Sequence, residues 1–250
     1  MTIDCHVHLQ GPGLEPELPE SASALGVEKL CCSSLGRTWS YEPSPEVFIE
    51  ANNDVADVMR RYPDLALGFC YLNPIYVDES LAEMRRCIED LGMVGVKLWV
   101  AAYADHPGVF PLVEKAIDYG IPVLQHAWHK ATGNLPHESK PGHVAELARR
   151  YPEADIIMAH IAGDWERGIE AVKDCPNVVV DTSGSIVEMG MVERAVQELG
   201  ARRVIFGSDA HGVDLSVAVA KILDADITDS ERELVLGANM QALLDRRTRR

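Results

Sequence analysis

The sequence has a shortage of positive charge. Its 250 residues contain 23 Lys and Arg against 39 Asp and Glu, which gives a net charge of −16 at pH 7. Because such a surface repels phosphate groups and anionic lipid headgroups, the composition argues against a nucleic-acid partner and against a membrane partner. We expect a small-molecule substrate, and a homo-oligomer is also compatible with the sequence.

Long apolar runs and paired-cysteine motifs are also missing. No stretch approaches the roughly 20 apolar residues of a membrane-spanning helix, and the N-terminus lacks a basic segment followed by an apolar one. The six cysteines show no C-x-x-C spacing, and several stand in apolar runs where a free thiol behaves as a small hydrophobic side chain. We therefore expect a protein of the reducing cytoplasm.

Short apolar runs of strand length alternate regularly with longer amphipathic segments. The predicted strands are residues 2–8, 27–33, 66–72, 94–100, 122–127, 155–160, 177–182 and 203–208. The predicted helices are residues 45–61, 79–91, 109–119, 142–151, 167–173, 187–199, 215–223 and 229–246, the last with Thr228 as its N-cap. Eight alternating units predict one α/β domain over residues 1–250, a TIM-like (β/α)8 barrel with a C-terminal helix and a solvated tail at residues 246–250.

An H-x-H pair occupies the first predicted strand. Alternate residues of a strand face the same side, so His6 and His8 can both reach one small object. Neutral imidazole is a common ligand of zinc and similar cations. Because histidines at this spacing also arise by chance, their role depends on what the other strands carry.

Four more polar residues stand at or near the ends of other predicted strands. Together with the pair, the candidate metal-site residues are His6, His8, Lys97, His126, His160 and Asp209. The C-terminal ends of barrel strands surround one shallow depression, so these side chains can converge there. Each of these residues also has a structural interpretation. Asp209 could cap a helix, Lys97 could be a strand-end lysine that reaches solvent, and the histidines could be core residues with all their hydrogen bonds made.

Aromatic and basic residues follow the same strands. The candidates for substrate binding are Trp99, Trp128, Trp165, Arg37 and His129, with Lys130 as an alternative to His129. The tryptophans would wall a flat apolar pocket or pack the barrel end, and the two interpretations stay open. The basic residues would fix a substrate carboxylate or lie solvated on the surface.

Several motifs resemble a known group of enzymes. They are D-C-H-V-H-L, G-V-K-L-W, the Q-H of Gln125-His126, R-R-Y-P-E-A-D-I-I-M-A-H-I-A-G and F-G-S-D-A. In this order, and over nearly the whole chain, they are similar to the amidohydrolase superfamily, in particular to its amidohydrolase-2 branch of metal-dependent hydrolases and decarboxylases.

The resemblance implies a metal site. The residues that would bind one divalent metal ion, zinc by default, are His6, His8, His126 and Asp209. His160 would bind a second ion or donate to the substrate. Lys97, carboxylated on its amine, would bridge two ions; unmodified, it would bind a substrate carboxylate or be structural. Whether the site holds one ion or two stays open.

The implied activity is hydrolysis of a small amide, lactone or ester by a metal-activated water. Asp209 would take the proton of the water and deliver it to the leaving group, while His160 stabilises the oxyanion. The alternative is decarboxylation of an aromatic or unsaturated carboxylic acid. Less favoured are a TatD-like phosphodiesterase, which would have G-E-I-G-L-D where this chain has Val96-Lys97-Leu98, and an inactive metal-binding module.

Overall fold

The computed structural model describes residues 1–247, in which eight parallel strands form one sheet in the order of the chain. The strands are β1 (Thr2–Leu9), β2 (Val27–Ser34), β3 (Ala66–Tyr71), β4 (Gly95–Leu98), β5 (Val123–Gln125), β6 (Ile156–Met158), β7 (Val178–Asp181) and β8 (Val204–Ile205). Cys5 N donates to Phe206 O at 3.0 Å and His8 N donates to Ala210 O at 2.8 Å, so the segment after β8 joins β1. The predicted TIM-like barrel is confirmed.

Helices surround the sheet. They are α1 (Leu18–Ala24), α2 (Pro45–Arg61), α3 (Val77–Arg85), α4 (Phe110–Tyr119), α5 (Pro141–Arg150), α6 (Trp165–Val172), α7 (Met191–Leu199), α8 (Leu215–Leu223), α9 (Asp229–Glu233) and α10 (Asn239–Leu244). Thr228 caps α9 as predicted, since its Oγ1 accepts from Glu231 N at 3.3 Å. Sequence patterning missed α1, whose seven residues are too short to show helical periodicity. Within residues 1–247, no helix is long and apolar enough to cross a membrane.

The predicted C-terminal helix is interrupted by a π turn at Leu234–Ala238 between α9 and α10. Gly237 lies so close to β1 that a Cβ atom there would stand 2.2 Å from Met1 O. The turn thus lets the chain pass the start of the barrel, and α10 then contributes Met240 and Leu243 to the core inside the strands.

Apolar side chains fill the barrel below its C-terminal end. This inner core consists of Ile3, Cys5, Cys31, Phe69, Leu124, Ile157, Ala159, Ile205, Met240 and Leu243. Gly95 leaves room for the Phe69 ring, since a Cβ at Gly95 would lie 2.6 Å from a ring atom. All six cysteines are buried and free. The polar strand ends therefore rest on a closely packed apolar layer.

The first two residues of the predicted solvated tail contact neighbouring segments, although the Arg246 side chain stays exposed. Arg246 pairs with Asp155, and Arg247 Nη1 donates to Met93 O at 2.8 Å. Guanidinium groups satisfy carbonyl and carboxylate oxygens through several donors at once, which binds this part of the chain to neighbouring segments. Residues 248–250 of the predicted tail lie outside the described residues.

Candidate metal centre

Strand β1 brings His6 and His8 to one point. Both side chains are buried, and their Nε2 atoms lie 3.1 Å apart. The Asp4 Oδ1 atom accepts hydrogen bonds from His6 N and Ser208 N, both at 3.0 Å. Because Asp4 ties β1 to the segment after β8, the first and last strands of the barrel hold the pair in place.

Asp209 joins this pair from the segment after β8. Its Oδ1 lies 3.6 Å from His8 Nε2 and 3.8 Å from His6 Nε2, and the three ligand atoms lie within 4.8 Å of one another. The residue has a φ of +65°, a left-handed conformation that costs a non-glycine residue about 1–3 kcal/mol. The Asp209 N to His6 O hydrogen bond of 2.8 Å holds it there. This backbone conformation turns the carboxylate toward the histidines.

His126 and His160 complete the cluster from the ends of β5 and β6. His126 Nδ1 lies 3.2 Å from His160 Nε2, and the His160 ring is centred 5.0 Å from that of His6. His160 also has a left-handed backbone, with φ +62°, and its N donates to Asp181 Oδ1 at 2.8 Å. We call the depression formed by His6, His8, His126, His160 and Asp209 the cup.

A polar partner holds the outer nitrogen of each β1 histidine. His6 Nδ1 lies 2.9 Å from Asp181 Oδ2, and His8 Nδ1 lies 3.0 Å from Ser33 Oγ. Such partners fix the tautomer and orientation of metal-binding imidazoles. With Nδ1 engaged in this way, both rings turn Nε2 into the cup.

The other two rings are held in the same manner. His160 Nδ1 lies 2.8 Å from Ser183 Oγ, and His126 Nε2 lies 3.1 Å from Glu138 Oε1. Sequence reasoning missed these partners and Asp181. Asp181 stands at the end of a predicted strand, which was an available signal, whereas Glu138 lies in a loop without any periodic pattern.

The electrostatics of the cup favour neutral nitrogen donors. Burial lowers the pKa of His6, His8 and His160 well below its usual range, and the nearby Lys97 amine lowers it further for His6 and His8. Burial also lowers the pKa of His126. Neutral imidazoles with an adjacent carboxylate are the donor set of divalent metal ions such as zinc and manganese, so the residues present fit such an ion.

Lys97 stands inside the cup, fully buried on β4. Its Nζ lies 2.8 Å from His6 Nε2, the nitrogen that faces the cup. Burial lowers the pKa of this amine to about 8, and burial raises the pKa of Asp209 to about 7. The predicted metal-site residues therefore all come together, with the lysine amine placed against one proposed ligand atom.

Indole rings wall the cup on two sides. Trp128 is centred 5.0 Å from the His160 ring, and Trp39 packs edge-on against His8 at 5.7 Å. Trp99 extends this wall, 5.9 Å from Trp39. Trp39 was missed because it lies in the loop after β2, several residues beyond the strand end.

The other predicted substrate contacts lie elsewhere. Trp165 Nε1 donates to Glu188 Oε2 at 2.7 Å, away from the indole wall. Arg37 is exposed and pairs with Glu50 at 3.1 Å and Asp54 at 3.4 Å.

His129 also faces a residue outside the cup. Its Nε2 lies 4.0 Å from Asp164 Oδ2. Arg37 thus already pairs with carboxylates of a neighbouring segment, and the expected binding of a substrate carboxylate by Arg37 or His129 stays a prediction.

The chain is similar to several known proteins. The 2-amino-3-carboxymuconate-6-semialdehyde decarboxylase of Dictyostelium discoideum is 30% identical over 80 residues, which span 31% of this chain and only 22% of that relative. A solved 2,6-dihydroxybenzoate decarboxylase from Rhizobium matches with a TM-score of 0.79 and 18% identity, over 98% of each chain.

A second solved structure, a dihydroxybenzoic acid decarboxylase from Polaromonas sp. JS666, holds manganese and the inhibitor 2-nitroresorcinol. It matches with a TM-score of 0.76 and 18% identity, over 98% of this chain and 96% of that one. At these identities, the likeness shows a shared fold. The family model for amidohydrolases matches residues 3–246, nearly the full length, and the chain therefore belongs to the amidohydrolase family.

Proposed function

We propose that the protein is a metal-dependent decarboxylase of flat aromatic or unsaturated carboxylic acids. The observation that carries the proposal is the cup itself: buried histidines and a carboxylate walled by indole rings, which suit a planar acid. The relatives named above are decarboxylases of such acids. They support the decarboxylation alternative better than the hydrolysis that we expected first from the sequence.

His6, His8, His126 and Asp209 would hold the metal. When bound, it supplies a positive charge that orients substrate oxygens and stabilises negative charge on the reacting acid. Zinc is our default choice for this donor set, and manganese is the competing choice because a similar structure holds it. Metal analysis of the purified protein decides between them.

Two residues of the cup would carry the chemistry. The substrate ring lies against Trp128, and His160 Nε2 forms a hydrogen bond with a substrate hydroxyl group. Asp209 has two carboxyl oxygens, so Oδ1 can stay with the histidine pair while the other oxygen moves a proton. The carbon–carbon bond breaks, carbon dioxide leaves, and the electron pair stays on the carbon, which takes the proton that Asp209 carries; Asp209 takes a new proton from solvent before the next turnover.

His211 offers a further polar contact. Among residues 1–247, neither buried ring nitrogen makes a hydrogen bond of normal geometry, although the backbone of His8 is near enough to oppose the lowering of the pKa by burial, and the ring lies 6.4 Å from Trp39 at the cup. Buried polar atoms are normally satisfied, and a substrate substituent would satisfy these. We assign His211 to the hydroxyl or second carboxyl group of the acid.

A substrate panel tests the proposed reaction. Metal-loaded protein is incubated with dihydroxybenzoates and with enoic acids, and carbon dioxide release is measured beside acid production from matched esters, lactones and amides. We expect carbon dioxide from at least one planar acid and its loss in Asp209→Asn, with exposed Asp105→Asn as the matched control. Turnover of esters, lactones or amides alone would instead support the hydrolase.

A further inference from the structure

The loop of residues 129–140, between β5 and α5, is organised around one buried carboxylate. Glu138 is only 2% exposed. Its oxygens accept from Lys130 Nζ at 3.0 and 3.1 Å, from Asn134 Nδ2 at 2.8 Å and from Leu135 N at 3.0 Å. The fourth partner, His126 Nε2 at 3.1 Å, is the one that belongs to the cup.

The neighbours of Glu138 determine where the hydrogen of His126 lies. Lys130, Asn134 and Leu135 present only donors, so the carboxylate is an acceptor throughout. The hydrogen bond to His126 therefore requires a hydrogen on Nε2. A neutral ring with Nε2–H has its lone pair on Nδ1, and that atom faces the cup. His126 thus presents Nδ1 to the cup, whereas His6 and His8 present Nε2.

The hydrogen of His160 is set by a different carboxylate. Ser183 Oγ gives its single hydrogen to Asp181 Oδ1, so His160 Nδ1, 2.8 Å from that hydroxyl, donates to it. A neutral His160 then has its lone pair on Nε2, 3.2 Å from His126 Nδ1. The Glu138 carboxylate therefore sets the hydrogen of His126, and the Asp181 carboxylate sets that of His160.

We propose that Glu138 is a positioning residue, which fixes His126 in the Nε2–H tautomer so that Nδ1 is its metal-binding atom. His126 Nδ1 would then hold the ion beside His6 and His8, with the hydrogen of the ring kept on the side of Glu138. This inference rests on the proposed function, because it requires a metal ion in the cup.

The closest variant is Glu138→Gln, which keeps the shape but changes an oxygen to an NH2 group. The surrounding donors favour an orientation in which this NH2 group meets His126 Nε2, which would place the hydrogen on Nδ1 and block metal binding there. Lys130→Met is the complementary variant, since it removes one donor and keeps the carboxylate. Exposed Glu153→Gln is the matched control.

Two measurements test the role of Glu138. Nitrogen-15 NMR of histidine-labelled, metal-free protein reports the tautomer of His126, identified by loss of its signals in His126→Gln. Competition with a chelator reports the affinity for Zn²⁺ and for Mn²⁺. We expect the Nε2–H form in wild type, Lys130→Met and Glu153→Gln, its loss in Glu138→Gln, and a metal affinity about 10–100-fold lower in that variant.

The outcomes separate this inference from the function beneath it. An unchanged tautomer in Glu138→Gln, or wild-type metal affinity in a folded variant, overturns the role of Glu138. Wild-type protein that binds neither ion overturns the metal-dependent function, while the tautomer measurement still reports on Glu138. Circular dichroism of each variant confirms that the barrel is folded.

Discussion

The pH dependence of metal binding should come mainly from two residues, Asp209 and Lys97. Burial raises the pKa of Asp209 to about 7 and lowers that of Lys97 to about 8, whereas burial holds the pKa of His6, His8 and His160 well below its usual range. A metal ion displaces protons from ligands and from neighbouring cations. Proton competition in the cup should therefore come from these two groups and not from the histidines.

The affinity for Zn²⁺ should consequently rise with pH up to about pH 8 and then level off. Below about pH 7, protonated Asp209 and protonated Lys97 both oppose metal binding. Between about pH 7 and 8, protonated Lys97 still opposes it. We expect about a tenfold change per pH unit where one proton is displaced. Chelator competition from pH 5.5 to 9 checks this: Asp209→Asn should lose the acidic part of the slope and Lys97→Met the alkaline part, whereas identical slopes in all three proteins would contradict it.

Lys97 also decides how many ions the cup holds. Because its Nζ contacts His6 and because His160 is engaged with His126 and Ser183, we propose one ion per chain and an unmodified amine. Intact mass under native conditions should show no labile addition of one carbon dioxide, and metal analysis should give one equivalent. Two equivalents together with such an addition, both lost in Lys97→Met, would establish the bridged alternative.

At the scale of elements, strand ends were predictable and loops were not. The β-branched and apolar runs predicted a strand at each of the positions β1 to β8. Because parallel strands end together, the sequence alone could group His6, His126 and Asp209. Glu138 and Trp39 stand in loops, where no periodic pattern links a residue to its neighbours in space. Their contacts are made only when the loops fold over the cup.

The loop after β2 should therefore determine substrate binding through Trp39. Its ring packs on His8 and Trp99 and offers no atom that binds a metal ion, so Trp39→Leu should leave the Zn²⁺ affinity unchanged. Loss of about 1 kcal/mol of aromatic contact should raise the KM for a planar acid several-fold. Steady-state kinetics measure this, with Trp165→Phe as the control, and an unchanged KM would remove Trp39 from the substrate wall.

At the scale of the whole molecule, the C-terminal segment closes the barrel from below. The π turn places Gly237 against Met1, and α10 fills the interior with Met240 and Leu243. Sequence patterning predicted a helix there, but the close approach of two backbones leaves no periodic signal. The stability of the barrel should thus depend on a glycine far from the cup.

Gly237→Ala should lower the free energy of unfolding by about 1–3 kcal/mol, because the new Cβ would meet Met1 O at 2.2 Å and the backbones must move apart. Gly142→Ala is the control, since a Cβ there meets nothing within 4 Å. Urea denaturation followed by circular dichroism measures both. Equal stability of the two variants would mean that the turn accommodates a side chain without cost.

Carbon dioxide release as a function of bound metal tests the central claim most directly. Protein stripped with a chelator is titrated with Zn²⁺ or Mn²⁺ in the presence of a planar acid that the substrate panel has identified. We predict no release without metal and a linear recovery that saturates at one ion per chain, with none in His6→Ala. Full release by metal-free protein, or undiminished release by metal-loaded His6→Ala, would contradict the account.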